Sequence, residues 1–119
     1  MFTATLSLDL LLGDVRSLKQ KRAVVRPIVA ELQRRFSVAA AEVGALDLHR
    51  RAEIGVAVVA ADAQHCIQVL DNAERLVAAR PDVDLLSAHR VVYSSTDEPE
   101  GSTTWPTEPA PASWPTGSG

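Results

Sequence analysis

The stretch SLKQKR, residues 17–22, places three positive charges within six residues. At the 100° steps of an α-helix, Lys19 and Arg22 fall within about 60° of Arg26, on one flank of the helix. Such a row of cations suits the phosphate backbone of structured RNA, which is recognised by charge and shape. The same side chains would also suit a solvated flank whose apolar stems cover the edge of the core.

A second cluster of basic residues extends this hypothesis to a loop. Arg50 and Arg51 close the segment GALDLHRR, residues 44–51. The candidate anion-binding residues are therefore Arg16, Lys19, Lys21, Arg22, Arg26, Arg50 and Arg51. The spacing alone leaves open whether the helix and the loop meet on one surface.

Other chemistries have little support in the sequence. The single Cys66 provides neither the four ligands of an iron–sulfur cluster nor a Cys-x-x-Cys pair, and the three histidines lack metal-ligand spacing. An acylphosphatase-like site needs a glycine-rich phosphate loop with an Arg and an Asn. The chain supplies Gly13 and Arg16, but its one asparagine, Asn72, falls inside a predicted helix. We therefore predict no cofactor, no metal ion and no enzymatic activity, with a phosphate-ester hydrolase as the weaker alternative.

The elements that must position these residues follow from the hydrophobic periods. Residues 2–12 alternate apolar and polar side chains, as a half-buried strand does, and residues 17–35 have a helical period with Ser17 as N-cap. Asp62 is the N-cap of a second helix that runs to about residue 80, and three more strands are predicted at 37–43, 53–60 and 83–94. The order β-α-β-β-α-β predicts an α+β ferredoxin-like sandwich: a four-stranded antiparallel sheet with both helices on one face.

Pro27 conflicts with the period of the first helix. It removes a backbone donor and crowds the preceding turn, so we expect a kink or a break near Arg26.

The face of the sheet away from the helices is predicted to carry small side chains: Thr3, Thr5, Ser7, Gly55, Ala57 and Val59. This face lacks the aromatic platform on which an RNA-recognition motif stacks bases. An uncovered face of this kind would leave apolar area in water, so we expect a homodimer formed through the sheet face or edge.

The end of the chain differs in composition from the rest. Residues 1–95 contain all twelve Lys and Arg and eleven of the fifteen Asp and Glu, for a charge of plus 1, whereas residues 96–119 carry minus 4 and five of the seven prolines. We predict a folded domain over 1–95 and a disordered tail over 96–119, whose Trp-Pro-Thr repeat is either low-complexity sequence or a docking motif. The opening residues lack a basic leader and no apolar run reaches about 20 residues, so we expect a cytoplasmic protein without membrane contact.

The chain also resembles a known family. Ser17-Leu18-Lys19 with Lys21-Arg22, Ala41-Glu42-Val43, the pairs Asp47-Leu48 and Arg51-Ala52, and Ile54-Gly55 occur in the order and spacing of the YlxP-like family of bacterial proteins, domain of unknown function 503. The resemblance covers about residues 1–95 and implies a ferredoxin-like fold without an established activity. It also implies a role around the ribosome, because genes of the family commonly lie near those for translation initiation and ribosome maturation. Pro27 and the Trp-Pro-Thr tail depart from the family pattern.

Two functions remain from this reasoning. The first is a non-enzymatic accessory protein that binds ribosomal RNA or a ribosome-associated protein through the basic first helix. The alternative is a dimeric regulatory module that binds a protein or a small molecule.

Overall fold

The computed structural model describes residues 1–95, so the predicted disordered tail over 96–119 lies outside the described residues. The elements follow the predicted order: β1 (Phe2–Leu12), α1 (Leu18–Phe36), β2 (Ala39–Gly44), β3 (Arg51–Ala60), α2 (Ala63–Ala78) and β4 (Val83–Ser94). The bounds of β1 and β4 are those predicted from the alternation of side chains.

The four strands form one antiparallel sheet in the order β2-β3-β1-β4. The central strand β1 pairs along nearly its whole length with both neighbours, with β3 from Phe2↔Ala60 to Leu11↔Arg51 and with β4 from Phe2↔Ser94 to Leu12↔Val83. Both helices bury apolar stripes against the same side of this sheet, which confirms the ferredoxin-like α+β fold. The core residues of the helices are Val25, Ile28, Leu32, Cys66, Leu70, Ala73 and Val77.

The first helix begins at its predicted N-cap and continues through Pro27. The hydroxyl of Ser17 accepts the Gln20 N–H at 3.1 Å. The expected break near Arg26 is wrong, because α1 is one helix from Leu18 to Phe36. Val25 before the proline and Ile28 after it are buried in one core while Pro27 is exposed, so packing on both sides holds the helix together.

The second strand starts two residues later than predicted. Ser37 is the C-cap of α1 and has a left-handed backbone with φ 52°, which turns the chain before β2 begins at Ala39.

The two faces of the sheet differ sharply. Alternate residues of β1 and β3 point toward the helices and are buried: Ala4, Leu6, Leu8, Leu10, Leu12, Ala52, Ile54, Val56 and Val58. The intervening residues form the other side of the sheet, which we call the open face. Neither helix of residues 1–95 packs against it. Arg51 belongs to the open face, because it precedes the buried Ala52.

Candidate anion-binding surface

The start of α1 is fixed by reciprocal hydrogen bonds. Gln20 donates its backbone N–H to the Ser17 hydroxyl, and its side-chain Oε1 accepts the Arg16 N–H at 2.7 Å. Such a cap satisfies backbone donors that a helix N-terminus would otherwise leave free. It therefore fixes the first turn of α1, which carries Lys19.

Three of the predicted residues lie together on α1 as exposed cations. Lys19, Arg22 and Arg26, which we call the basic row, have no carboxylate within 4.0 Å among residues 1–95. The seven residue-to-residue steps from Lys19 to Arg26 give the row a length of about 10 Å. This arrangement leaves three cationic heads available to an anionic partner.

A groove lies beside the basic row, between α1 and the edge strand β2. It has a volume of about 350 Å³, and both Arg22 and Arg26 line it. Glu42 is its one acidic lining residue, and this carboxylate is paired with Lys21. The groove thus has two unpaired arginines along one side, and the charge of its one carboxylate is balanced by Lys21.

Lys21 must be removed from the candidate site. Its side chain is only 2% exposed, and its Nζ lies 2.6 Å from the Ala45 carbonyl oxygen and 2.7 Å from Glu42 Oε2. Its ammonium group is therefore held inside the protein, where it joins α1 to the end of β2. The sequence reasoning counted it as a phosphate contact together with the other cations of the first helix.

Arg50 and Arg16 lie at the junction between β1 and α1. Arg50 donates its Nε to the Gly13 carbonyl at 2.9 Å, and its own carbonyl accepts the Leu12 N–H at 2.8 Å. Arg16 is highly exposed and lies 3.3 Å from the Asp14 carboxylate. Both side chains can extend the basic row at the N-terminal end of α1, although Arg16 shares its charge with a carboxylate.

Arg51 is separated from the basic row by the sheet. Its Nη2 contacts Asp9 Oδ2 at 2.6 Å on the open face, whereas α1 packs on the opposite side. The two arginines at 50 and 51 therefore do not act as one cluster, because Arg51 lies on the open face while Arg50, which precedes β3, contacts the carbonyl of Gly13 at the junction between β1 and α1.

A second group of cations joins Arg35 to Arg75, and the sequence reasoning, which grouped Arg35 with Arg34, missed this pair. Arg35 and Arg75 line a cleft of about 830 Å³ between the C-terminal ends of α1 and α2. Neither has a carboxylate within 4.0 Å in the described part of the chain, whereas Arg80 in the same cleft is paired with Glu31 and Asp82. Arg35 and Arg75 are far apart in sequence, and only the packing of the two helices brings them to one cleft, so nothing in the sequence indicated this pair.

Within residues 1–95, no group of three or more His, Cys, Asp or Glu side chains is placed to hold a metal ion. In the same part of the chain, neither helix combines the length and apolar character needed to cross a bilayer.

Comparisons with known proteins agree with the resemblance that the motifs indicated. One similar relative is the uncharacterized protein YlxP of Bacillus subtilis (strain 168), which is 28% identical over 76 residues, or 64% of this chain and 83% of the relative. The family model described as protein of unknown function (DUF503) matches residues 3–90, a range that includes both helices and the basic row. With most of its length matched in this way, the chain belongs to the DUF503 family.

Proposed function

We propose that this protein is a cytoplasmic, non-enzymatic accessory protein that binds the phosphate backbone of ribosomal RNA, alone or within a ribosome-associated complex. The basic row of α1 is the contact surface, and Arg16 and Arg50 extend it. The ribosomal destination rests on the family resemblance, whereas the choice of a polyanion rests on the charges of α1.

The observation that carries the proposal is the lack of carboxylate partners along the row. Ion pairing is common elsewhere in the domain: Arg16, Lys21, Arg34, Arg51, Arg80 and Arg90 each lie within 4.0 Å of a carboxylate. Three consecutive cations on one helix flank are left without such partners. Unpaired, exposed Lys and Arg contribute most to phosphate binding, because they release condensed counterions without first breaking an internal ion pair.

The first experiment is co-sedimentation of the protein with ribosomal particles from a lysate at low and at moderate salt. Wild type is compared with the double variant Arg22→Glu plus Arg26→Glu. We expect wild type to travel with a ribosomal fraction at low salt and to dissociate as salt rises, and we expect the double variant to remain at the top of the gradient.

The matched control is Arg35→Glu plus Arg75→Glu. It makes the same change in net charge at two other cations that lack carboxylate partners, in the cleft at the far end of α1. The proposal requires this control to sediment like wild type. Wild type that stays at the top of the gradient at both salts, or equal loss in both double variants, contradicts the proposal.

The cleft between the helix ends favours the second candidate, a regulatory module that binds a small anion. Arg35 and Arg75 supply the charge, and Phe36 and Leu76 supply apolar walls. For this function, an anionic ligand raises the melting temperature of wild type but not of Arg75→Ala, and RNA retention is absent.

A further inference from the structure

The open face of the sheet is smooth, apolar and built of small side chains at its centre. Strand pairing aligns two rows across all four strands: Ala39, Ala57, Thr5 and Val91 in one, and Ala41, Gly55, Ser7 and His89 in the other. A shallow groove of about 370 Å³ lies over these rows. The centre of the face therefore allows another surface to approach the backbone closely.

Larger apolar side chains stand at one end of the same face and at its β2 edge. Val59 is 62% exposed, and Tyr93 and Val43 are also more than half exposed. Val43 lies over Gly55, where a Cβ would come within 3.0 Å of the valine Cγ1. The absence of a side chain at Gly55 thus lets Val43 lie flat against the sheet, and the face combines a low centre with raised side chains, Val59 and Tyr93, at one end.

The charged groups that the two central strands, β1 and β3, place on the face already have partners within it. Arg51 is paired with Asp9, and the Ser7 hydroxyl donates to Glu53 Oε2 at 2.7 Å. A partner that covers the face therefore buries no unpaired Lys or Arg of β1 or β3. Two carboxylates against one guanidinium also make the face unsuitable for RNA.

From these features we infer that the open face binds the open face of a second copy of this chain, sheet against sheet. The 39 residues of the four strands, with a rise of about 3.3 Å each and strands about 4.8 Å apart, give a face of roughly 600 Å². Two such faces bury about 1,200 Å² in total, which is at the lower end of specific interfaces. Sheets packed in this way lie about 10 Å apart, with the raised residues of one opposite the low centre of the other.

A second copy fits this face better than the remaining segment of the same chain. Residues 96–119 begin next to β4, where Ser95 donates its N–H to the Met1 carbonyl, so they can reach the face. One extended segment, however, covers about 5 Å of a face that is roughly 19 Å wide. An equal sheet covers the whole width. The inference is independent of the proposed RNA binding, because it uses the opposite side of the sheet.

The test is the mass of the full-length protein by sedimentation equilibrium at about 100 μM, above the micromolar Kd expected of an interface near 1,200 Å². We expect wild type at twice the 12.8 kDa of one chain. Val59→Glu, which places a charge on the face, raises the dimer Kd at least tenfold, as does the second variant Ala41→Lys. Leu46→Glu is the matched control: Leu46 is a similarly exposed aliphatic residue, 58%, in the loop after β2, and this variant remains dimeric.

Monomeric wild type, or dimers that Val59→Glu and Ala41→Lys leave unchanged, overturn the inference. Tryptophan fluorescence identifies the competing occupant, because both tryptophans of the chain, Trp105 and Trp114, lie in residues 96–119. Blue-shifted emission from a monomer that moves to the red in Val59→Glu shows that this segment covers the face, and the dimer is then rejected. Circular dichroism of each variant confirms that it is folded.

Discussion

At the scale of single residues, Lys21 positions the basic row without belonging to it. It lies between Lys19 and Arg22 in sequence, but its ammonium group is held by Glu42 and by the carbonyl of Ala45. Ala45 has a left-handed backbone, φ 55°, that turns its carbonyl at the end of β2. Because Lys21 is buried on the same stripe of α1 as Val25 and Ile28, its contact holds that stripe against the sheet while the neighbouring cations face solvent.

The first prediction at this scale concerns the stability of a Lys21→Met variant. Removing the ammonium group leaves the Glu42 carboxylate and the Ala45 carbonyl without their donor. Breaking a buried ion pair costs about 3–5 kcal/mol; since the Glu42 side chain keeps 21% exposure, we expect a loss of about 2–4 kcal/mol. Urea denaturation measures the change.

Two companion variants make the result specific. Lys19→Met changes the same residue type at an exposed position and should alter the free energy of unfolding by about 0.5 kcal/mol or less. Adding Glu42→Gln to Lys21→Met should recover part of the loss, because the unpaired charge is gone. Equal effects of Lys19→Met and Lys21→Met would refute the buried role of Lys21.

The burial of Lys21 had a signal in the sequence. It precedes Val25 by four residues and Ile28 by seven, which places it on the core stripe of α1. What the sequence could not supply was the partner, because Glu42 comes from a strand whose distance from α1 depends on the packed fold. A lysine on an apolar stripe is most often exposed through its long side chain, so the exposed interpretation was favoured.

At the scale of elements, α1 tolerates a proline at an interior position. The pattern correctly predicted the start of the helix, but not its continuity through Pro27. The burial of Val25, Ile28 and Leu32 in one core offsets the free energy that the helix loses with one backbone hydrogen bond. Tertiary packing of this kind is not visible in the local sequence around Pro27.

The prediction for this element is that Pro27→Ala stabilises the domain. Alanine restores the backbone donor and removes the ring from the preceding turn, a gain of up to about 3 kcal/mol in a helix interior. The more flexible unfolded chain offsets about 0.4–1 kcal/mol of it, and we expect a net gain of about 1–2 kcal/mol.

The midpoint of urea denaturation should rise at an unchanged slope. Sedimentation with ribosomal particles should not change, because Pro27 is not part of the basic row. A lower midpoint would show that the proline contributes packing that outweighs its backbone cost.

At the scale of the whole molecule, the layers decide which basic residues act together. The helices cover one side of the sheet, so the basic row lies on the outer side of the helix layer and Arg51 lies on the open face. The sequence predicted this layering and the small residues of the open face. It did not separate Arg50 from Arg51, because the loop prediction for residues 44–51 gave no strand position to Arg51, where β3 in fact begins.

The salt dependence of RNA binding is a property of the whole surface and tests it quantitatively. The chain carries a net charge of minus 3, yet the bound surface is cationic. Three phosphate contacts give a slope of about −2.1 to −2.7 in a plot of log affinity against log salt, which is a loss of about 20- to 40-fold between about 50 and 200 mM.

Fluorescence anisotropy with a labelled ribosomal RNA fragment measures this slope. Arg22→Glu plus Arg26→Glu should flatten it, and unrelated RNA sequences should show the same slope as the ribosomal fragment. A slope near zero would mean that binding does not proceed through the phosphate backbone.

The one-sided placement of the helices has a consequence for valency. If two copies join through their open faces, the helix layers lie on the outside, with the axes of opposite layers about 30 Å apart. The two basic rows then face away from each other, and one short RNA strand cannot contact both. Such a dimer would bridge two separate RNA segments, and its avidity would depend on whether a folded RNA presents both at that separation.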